Sequence, residues 1–240
     1  MLCLNAAVAP STKATTPKRT AQGFEEAMGV NHLGHFLLAN LLQEQLASNG
    51  GAGRLVVTAS SVHDPDQPGG AVNGKSGATL GDLSGLGAID LNGPTMADGA
   101  IEYDGSKVYK DTKLANVLFC REAAKRWPGV SVRSFSPGFI PASGLFREPR
   151  NDNWFAAQAF TVVAGLAGFA VPIDVGGGRL AHLATASDAL VPPGAYLAGP
   201  TGSKGFTRDD GFDDGTISTE GRDDAKAERL WALSCELVGC

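Results

Sequence analysis

The sequence predicts an α/β fold in which a parallel, doubly wound sheet of the Rossmann type is covered by helices on both faces. Three mostly apolar runs, at residues 2–8, 54–58 and 130–135, are separated by long stretches with helical periodicity. Strands that alternate with helices in this way are typical of parallel sheets. Continuous apolar strands are expected where both faces of the sheet are buried.

The first quarter of the chain predicts a strand, a helix and a second strand. The run 2–8 reads as a strand, and apolar residues then recur at three- and four-residue steps from Thr20, a suitable N-cap, to Leu46. This spacing predicts one long helix with a single buried face. The run 54–58 predicts the next strand, which ends at the small polar residues 59–61.

Residues 64–105 have a different composition, with ten glycines and three prolines. Because no apolar period continues through them, we expect a long, irregular, Gly-rich insertion. Long ordered loops of this kind often cover or bind a substrate.

The second half of the chain resumes the alternation. Helical periodicity runs from Ser106 to Trp127, and the strand 130–135 leads into Ser136-Pro137-Gly138. Residues 154–171 are almost entirely apolar and predict a buried or membrane-surface helix. A second glycine cluster, 176–178, precedes a further helical stretch, and residues 223–238 predict an amphipathic C-terminal helix.

Composition places the chain among folded proteins and excludes several functions. Hydrophobic residues make up 43% of the chain, the mean hydropathy is near zero, and the formal net charge is -5. These values argue against a disordered chain or a bundle of membrane spans, and no basic face suggests nucleic acid as a partner. We expect a single domain over residues 1–240.

The cysteines and histidines do not predict a metal site. The four cysteines include no Cys-x-x-Cys pair, so neither a zinc site nor a disulfide framework is indicated, and a reducing compartment is the simpler interpretation. His32 and His35 lie three residues apart in the first helix, but no cysteine or carboxylate is placed to complete a metal site. We expect them to pack or cap the helix.

Tyr109 and Lys113 form a candidate pair for proton transfer. Because they stand four residues apart in the predicted helix, their side chains lie on one face about a turn apart. An ammonium beside a phenol favours the phenolate and lowers the pKa of the tyrosine, which suits an acid or base catalyst. The spacing alone also fits an ordinary surface pair.

The surrounding sequence places further polar residues where parallel sheets bind ligands. Asn5-Ala6-Ala7 lies at the end of the first predicted strand, Ser60 follows the second, and Pro137-Gly138 follows the third. Asn31 lies in the helix between the first two strands. His63 and Asp64 near Ser60 do not predict a hydrolase, because adjacent residues rarely converge on one point and no Gly-x-Ser-x-Gly elbow is present.

In this order Asn31, Ser60, Tyr109 and Lys113 resemble the catalytic tetrad of the short-chain dehydrogenase/reductase family. Leu4-Asn5-Ala6-Ala7 resembles the family's Asn-Ala-Gly strand end, and Pro137-Gly138 resembles its turn on the nicotinamide side. Within that family the chain resembles the light-dependent protochlorophyllide oxidoreductases. The resemblance covers residues 2–150 and 226–238, and it is carried by the stretches 31–36, 80–83, 103–113 and 144–148.

The resemblance implies NADPH as the cofactor and hydride donor, with Tyr109 delivering a proton to the reduced double bond of the substrate. Lys113 would lower the pKa of Tyr109 and hold the nicotinamide ribose, Ser60 would position the substrate or the tyrosine, and Asn31 would hold a water in the proton relay. The cofactor-binding residues implied are Asn5, Ala6, Ala7, Tyr109, Lys113, Pro137 and Gly138.

The resemblance also implies a substrate, a compartment and partners. Light absorbed by bound protochlorophyllide would trigger hydride transfer. Such chemistry implies a plastid, with peripheral membrane contact through residues 154–171. No metal is implied, and a homo-oligomer stays open.

Two departures from the family pattern leave alternatives open. Ser136 and Phe139 stand where the family reads Tyr-Pro-Gly-Cys, so another hydrophobic enone or carbonyl is an alternative substrate. The first strands of the fold and their glycine-rich turn are also not found in the sequence. We therefore expect residues 1–240 alone to bind NADPH poorly, and a catalytically inactive protein that binds pigment or a partner is a further alternative.

Overall fold

Four parallel strands and one short antiparallel strand form the central sheet in a computed structural model of the chain, which describes residues 1–48, 50–71, 77–88, 93–146, 162–163, 166, 169–199 and 212–240. The strands are β1 (Leu2–Leu4), β2 (Gly53–Thr58), β3 (Val130–Ser136), β4 (Tyr196–Ala198) and β5 (Asp213–Asp214), in that spatial order. Strands β1 to β4 are parallel, and β5 runs antiparallel to β4. The predicted α/β fold is confirmed, while β4 and β5 were not expected.

Helices connect the parallel strands, and a final helix follows the last strand. They are α1 (Glu26–Met28), a π-helical turn (Gly29–Leu33), α2 (Gly34–Leu41), α3 (Gln43–Ala47), α4 (Gly105–Arg126), α5 (Ile173–Thr185) and α6 (Asp224–Val238). Short 3-10 turns lie at Ser61–His63, Gly144–Phe146 and Glu220–Arg222. The connections from β1 to β2 and from β2 to β3 therefore cross over through helices, as parallel pairing requires.

The first helix begins later than the sequence pattern predicts. Its N-cap is Glu25, whose carboxylate accepts a hydrogen bond from the Met28 amide at 2.7 Å, and not Thr20. Residues before it turn back on themselves, because Arg19 pairs with Glu25 in an isolated β-bridge and donates to the Gly23 carbonyl at 2.7 Å. The helix is also interrupted at Leu42.

The prediction for the second glycine cluster was wrong. Residues 176–178 lie inside α5, which begins at Ile173, and not before a helix. Gly176 is tolerated there because it packs closely: a Cβ on Gly176 would lie 2.3 Å from the Cδ1 atom of Ile140. Packing has outweighed the low helix propensity of glycine.

Alternating side chains of β2 serve two separate cores. Leu55 and Val57 pack in one cluster with Phe36 of α2 and Phe119 of α4. Val56 points to the other face and joins the cluster that contains Leu183 of α5. The sheet is therefore covered on both faces, as the apolar strands predicted.

The insertion is anchored to α4 through Lys107 and through Asp111, which accepts from the Thr79 amide at 3.0 Å. In the described parts of residues 64–104 the chain forms turns and bends. Lys107 Nζ donates to the Thr79 carbonyl at 3.0 Å and pairs with Asp98 at 3.0 Å and with Asp111 at 2.6 Å. These buried contacts hold residues of the insertion against the first turns of the helix that carries Tyr109.

Most of the helix predicted at residues 154–171 lies outside the described residues. Among the helices that the structure describes, none combines the length and the apolar character needed to cross a membrane.

Candidate active site

Thr58, at the end of β2, connects two of the predicted site residues. Its hydroxyl donates to Asn5 Oδ1 at 2.8 Å, just beyond the end of β1. Its carbonyl accepts hydrogen bonds from Lys113 Nζ and from Asn116 Nδ2, each at 3.2 Å. The carboxyl ends of β1 and β2 and one face of α4 are thus joined at the edge where parallel sheets bind ligands.

Tyr109 and Lys113 lie on the same face of α4, as their spacing predicts. Asp104 is the N-cap of the helix, and its carboxylate accepts the amide hydrogens of Ser106 and Lys107 and so fixes the first turn. Lys113 is 2% exposed, and its Nζ atom lies 5.3 Å from the centroid of the Tyr109 ring. The ammonium therefore lies beside the ring and donates to the Thr58 carbonyl.

Burial controls the proton affinities of this pair. It raises the pKa of the Tyr109 phenol above its usual value and lowers the pKa of Lys113 to about 8. Lowering of the Tyr109 pKa by Lys113 stays a prediction, since burial acts on the phenol in the opposite direction. Tyr109 consequently keeps its proton at neutral pH, and Lys113 can lose one close to neutral pH.

Asn31 lies in the π-helical turn and is completely buried. Its Oδ1 atom accepts from the Val8 amide at 2.8 Å, and its Nδ2 group donates to the Val8 carbonyl at 2.9 Å and to Thr112 Oγ1 at 3.1 Å. Single π-helical turns within α-helices are frequent at functional sites. This one lets Asn31 join the loop after β1 to the helix that carries Tyr109.

Two adjacent hydroxyls follow β2. Ser60 Oγ accepts a long hydrogen bond of 3.4 Å from the Val62 amide and so begins the 3-10 turn. Ser61 Oγ lies 3.4 Å from Ser136 Oγ at the end of β3. Sequence reasoning singled out Ser60 alone, but the structure places both hydroxyls at the same edge of the sheet.

His63 has a structural role in this arrangement. Its Nδ1 atom lies 2.7 Å from the Ser60 carbonyl oxygen, and its Nε2 atom accepts from the Ser218 amide at 3.4 Å. These contacts correspond to a neutral ring that is protonated on Nδ1, and burial lowers the pKa of His63. The imidazole meets the carbonyl of Ser60 and not its hydroxyl, which disfavours a hydrolase.

The two histidines of the first helical segment show no metal-site geometry. His32 Nε2 lies 2.9 Å from Ser234 Oγ of α6, and burial lowers the pKa of His32 and of His35 to about 4 each. In the part of the chain that the structure describes, no three His, Cys, Asp or Glu side chains cluster as metal ligands would.

The turn after β3 is held rigidly. Gly138 has φ +93°, and a Cβ at this position would lie 2.6 Å from Val171 Cγ2. The fully buried Arg179 of α5 donates to the Pro137 carbonyl at 2.8 Å. Glycine is therefore required here both by the backbone conformation and by the close packing.

Three residues that sequence reasoning missed complete the arrangement: Thr58, Thr112 and Asn116. Asn116 is buried, and its Nδ2 group donates to the Thr58 carbonyl at 3.2 Å. A signal was available for two of them, because Thr112 and Asn116 lie three residues after Tyr109 and Lys113 and so share their helix face. Thr58 carried no comparable signal, since its role depends on which strand lies beside β2.

Comparison with known sequences finds protochlorophyllide reductases. The chain is 37% identical over 247 aligned positions to protochlorophyllide reductase A, chloroplastic, of Triticum aestivum, and the alignment covers 100% of the chain and 60% of the relative. It is 39% identical over 244 positions to protochlorophyllide reductase B, chloroplastic, of Hordeum vulgare, covering 98% of the chain and 58% of the relative. For the protochlorophyllide reductase of Avena sativa the identity is 37% over 247 positions, covering 100% and 74%. The chain thus spans less than two thirds of the wheat and barley relatives, and no protein-family model matches it.

Solved structures share the fold at low sequence identity. An uncharacterised protein from Mycobacterium paratuberculosis superposes with a TM-score of 0.60 at 22% identity, over 99% of this chain and 66% of the other. A gluconate 5-dehydrogenase from Burkholderia cenocepacia, solved with NADP and tartrate, gives a TM-score of 0.53 at 17% identity, over 84% and 63%. These matches support the Rossmann-type architecture.

Proposed function

We propose that this chain, which belongs to the protochlorophyllide reductase family of the short-chain dehydrogenase/reductase superfamily, performs the NADPH-dependent, light-driven reduction of a ring double bond in protochlorophyllide. The observation that carries the proposal is the position of Tyr109 and Lys113. The ammonium of Lys113 lies 5.3 Å from the Tyr109 ring and is bonded to the end of β2. This step belongs to chlorophyll biosynthesis.

The residues present fit the nicotinamide end of a dinucleotide. Asn5 and Ala6 are exposed at the end of β1, and Lys113 supplies a buried positive charge beside them. Asn5, Ala6, Ala7, Tyr109, Lys113, Pro137 and Gly138 would hold the cofactor. When bound, NADPH supplies the hydride.

Tyr109 is suited to the role of proton donor. Because burial keeps its phenol protonated at neutral pH, the proton is available when charge develops on the reduced substrate. Lys113, with a pKa lowered to about 8, can return a proton to the phenolate, and this transfer is favourable because the phenol holds its proton more tightly than the ammonium does. Lys113 would also hold the nicotinamide ribose.

Asn31 would support the proton relay mainly by holding the site together. Both hydrogens of its Nδ2 group are already donated, to Val8 and to Thr112. A relay water held by Asn31 would therefore bind an oxygen of this residue. Ser60 would position the substrate or the Tyr109 phenol.

One observation favours a second candidate, the reduction of another hydrophobic enone or carbonyl. Ser136 is buried at the end of β3 with its hydroxyl 3.4 Å from that of Ser61, and Phe139 pairs with Ala170 in a β-bridge. A short hydroxyl and an apolar ring thus lie where the resemblance leads one to expect a phenol and a thiol. These residues would change the substrate side of the site and leave the proton donor unchanged.

The remaining proposals concern the whole protein. The chloroplastic relatives support a plastid location, and we place residues 1–240 in a single reductase domain with the Gly-rich insertion at 64–105. The partner would be a small, hydrophobic substrate. Peripheral membrane contact through residues 154–171 and assembly into a homo-oligomer are further proposals.

The test uses the full-length gene product. It is mixed in darkness with NADPH and protochlorophyllide and given a light flash, and absorbance is recorded. We expect conversion to the chlorophyllide band, and we expect no conversion in the Tyr109→Phe variant. Pigment that binds beside NADPH without converting would favour another enone or carbonyl substrate, and pigment binding without NADPH binding would favour an inactive binding protein.

A further inference from the structure

Two cysteines that are unremarkable in sequence meet at the end of α6. Helix α6 ends at Gly239, which has φ +75°, and the amides of Gly239 and Cys240 both donate to the Cys235 carbonyl, at 2.8 and 3.1 Å. A left-handed residue after a helix turns the chain back over its last turn. As a result, the side chain of Cys240 lies against that of Cys235, with the two sulfur atoms 3.1 Å apart.

The two sulfur atoms lie close to bonding distance. A disulfide bond is about 2.05 Å long, so the sulfur atoms need to approach by only about 1 Å. Both thiols are free, and Cys240 is exposed while Cys235 is partly buried. The glycine between them already provides the backbone turn that the cross-link needs.

The two thiols differ in reactivity. Cys240 donates its S–H hydrogen to Cys235 Sγ, and burial together with the neighbouring sulfur raises the pKa of Cys240. Because Cys240 is the hydrogen donor of the pair, we take Cys235 as the first nucleophile and Cys240 as the resolving thiol. Cys120 is fully buried in α4, and burial raises its pKa, so it offers no competing site.

We propose that Cys235 and Cys240 form a redox modification site that accepts small disulfides of the glutathione type. The Cys235 thiolate attacks one sulfur of the small disulfide, whose S–S bond breaks and releases one thiolate. Cys240 then loses its proton and attacks Cys235 Sγ, which releases the second small thiol and forms the internal disulfide. Two protein thiols are oxidised, and one small disulfide is reduced to two thiols.

The modification stays local to the end of α6. Ser234, immediately before Cys235, remains bonded to His32 at 2.9 Å, and Trp231 remains packed in the cluster that contains Phe36 and Phe119. Because the helix cap is already formed before oxidation, α6 need not move. The site can therefore be tested without measuring turnover.

The test is a mass measurement on the folded chain. The protein is equilibrated with defined ratios of reduced to oxidised glutathione, unfolded with an alkylating reagent, and digested after Arg229, which leaves both cysteines in one peptide. We expect that peptide to lose the mass of two hydrogens and to take up no alkyl group. In Cys240→Ser we expect a stable glutathione adduct on Cys235, while Cys3→Ser should behave like the unchanged protein.

Other results would overturn the proposal. These are alkylation of both cysteines under oxidising conditions, separate glutathione adducts on each in the unchanged protein, or a disulfide between two chains. The peptide from the unchanged protein decides the matter alone, so a variant that fails to fold does not weaken the test.

Discussion

The Nδ2 group of Asn31 donates a hydrogen bond to Thr112 Oγ1 across 3.1 Å, between residues 81 positions apart in the chain. Thr112 in turn donates to the Tyr109 carbonyl at 2.7 Å. Asn31 is thereby connected to the backbone of the residue proposed as the proton donor. Replacing this buried amide should destabilise the protein. Its partners at Val8 and Thr112 would stay buried without their hydrogen bonds, which costs free energy.

The first prediction concerns the proton donor. We expect Tyr109→Phe to lower the rate of photoreduction by about 10²-fold to 10⁴-fold, the usual contribution of a positioned acid, with pigment binding retained. Flash absorbance and a pigment titration measure the two quantities. Tyr103→Phe is the matched control, because Tyr103 donates to Glu25 at 2.8 Å and has no proposed catalytic role. Equal rates in Tyr109→Phe and the unchanged protein would contradict the mechanism.

The second prediction separates the two hydroxyls after β2. Ser60→Ala should lower turnover by about 10²-fold, the cost of removing one positioned donor, while Ser61→Ala should have the smaller effect. The reason is that the Ser60 hydroxyl accepts its 3.4 Å contact from the Val62 amide and so keeps its hydrogen for a substrate, whereas the Ser61 hydroxyl lies against that of Ser136. Turnover rates of the two variants check this. The opposite order would assign the positioning role to Ser61.

The third prediction concerns the anchor of the insertion. Asp111→Asn should lower the free energy of unfolding by about 2 kcal/mol, since the buried Lys107 loses a carboxylate at 2.6 Å while it keeps Asp98 at 3.0 Å. Urea unfolding measures the change. Asp224→Asn is the control: Asp224 pairs with Arg121 at the surface, where ion pairs contribute little. Similar effects of the two substitutions would show that the Lys107 pair is not the anchor.

The fourth prediction compares two glycines with opposite surroundings. Gly138→Ala should destabilise the fold by at least about 1 kcal/mol and weaken NADPH binding, because its φ is +93° and Val171 is too close to a new Cβ. Gly177→Ala should stabilise α5 by about 0.5–1 kcal/mol, since a Cβ there meets open space. Thermal unfolding measures the expected loss of stability in Gly138→Ala and the expected gain in Gly177→Ala, and an NADPH titration measures cofactor binding. Unchanged stability in Gly138→Ala would show that the turn after β3 is not rigid.

The fifth prediction is a pH dependence. Burial lowers the pKa of His32 to about 4, against about 6.5 in the unfolded chain, so protons bind preferentially to the unfolded state between these values. His32 therefore contributes stability that is present above pH 6.5 and is lost, by about 3 kcal/mol, as the pH falls towards 4. His32→Gln should lose less stability over this range in urea unfolding. The difference between the two proteins isolates His32, since His35 and Asp111 are common to both, and parallel pH curves would refute the assignment.

Helix α4 shows which structural features the sequence could predict. The helix was expected at 106–127 and runs from Gly105 to Arg126, with Tyr109 and Lys113 on one face, because local periodicity and capping determine a long helix. Strands β4 and β5 were not expected, because they are three and two residues long and carry no periodic signal. The start at Glu25 was missed because it depends on the contact with Arg19.

The sequence alone determined the alternation of strands and helices, the face shared by Tyr109 and Lys113, and the strand ends that carry Asn5, Ser60 and Pro137. Each of these follows from spacing along one segment. Only the tertiary structure decided that burial raises the Tyr109 pKa, because the loss of water around a side chain depends on all of the segments packed against it. For the same reason only the structure joined Asn31 to Thr112 and Thr58 to Lys113, since such contacts depend on where distant segments meet.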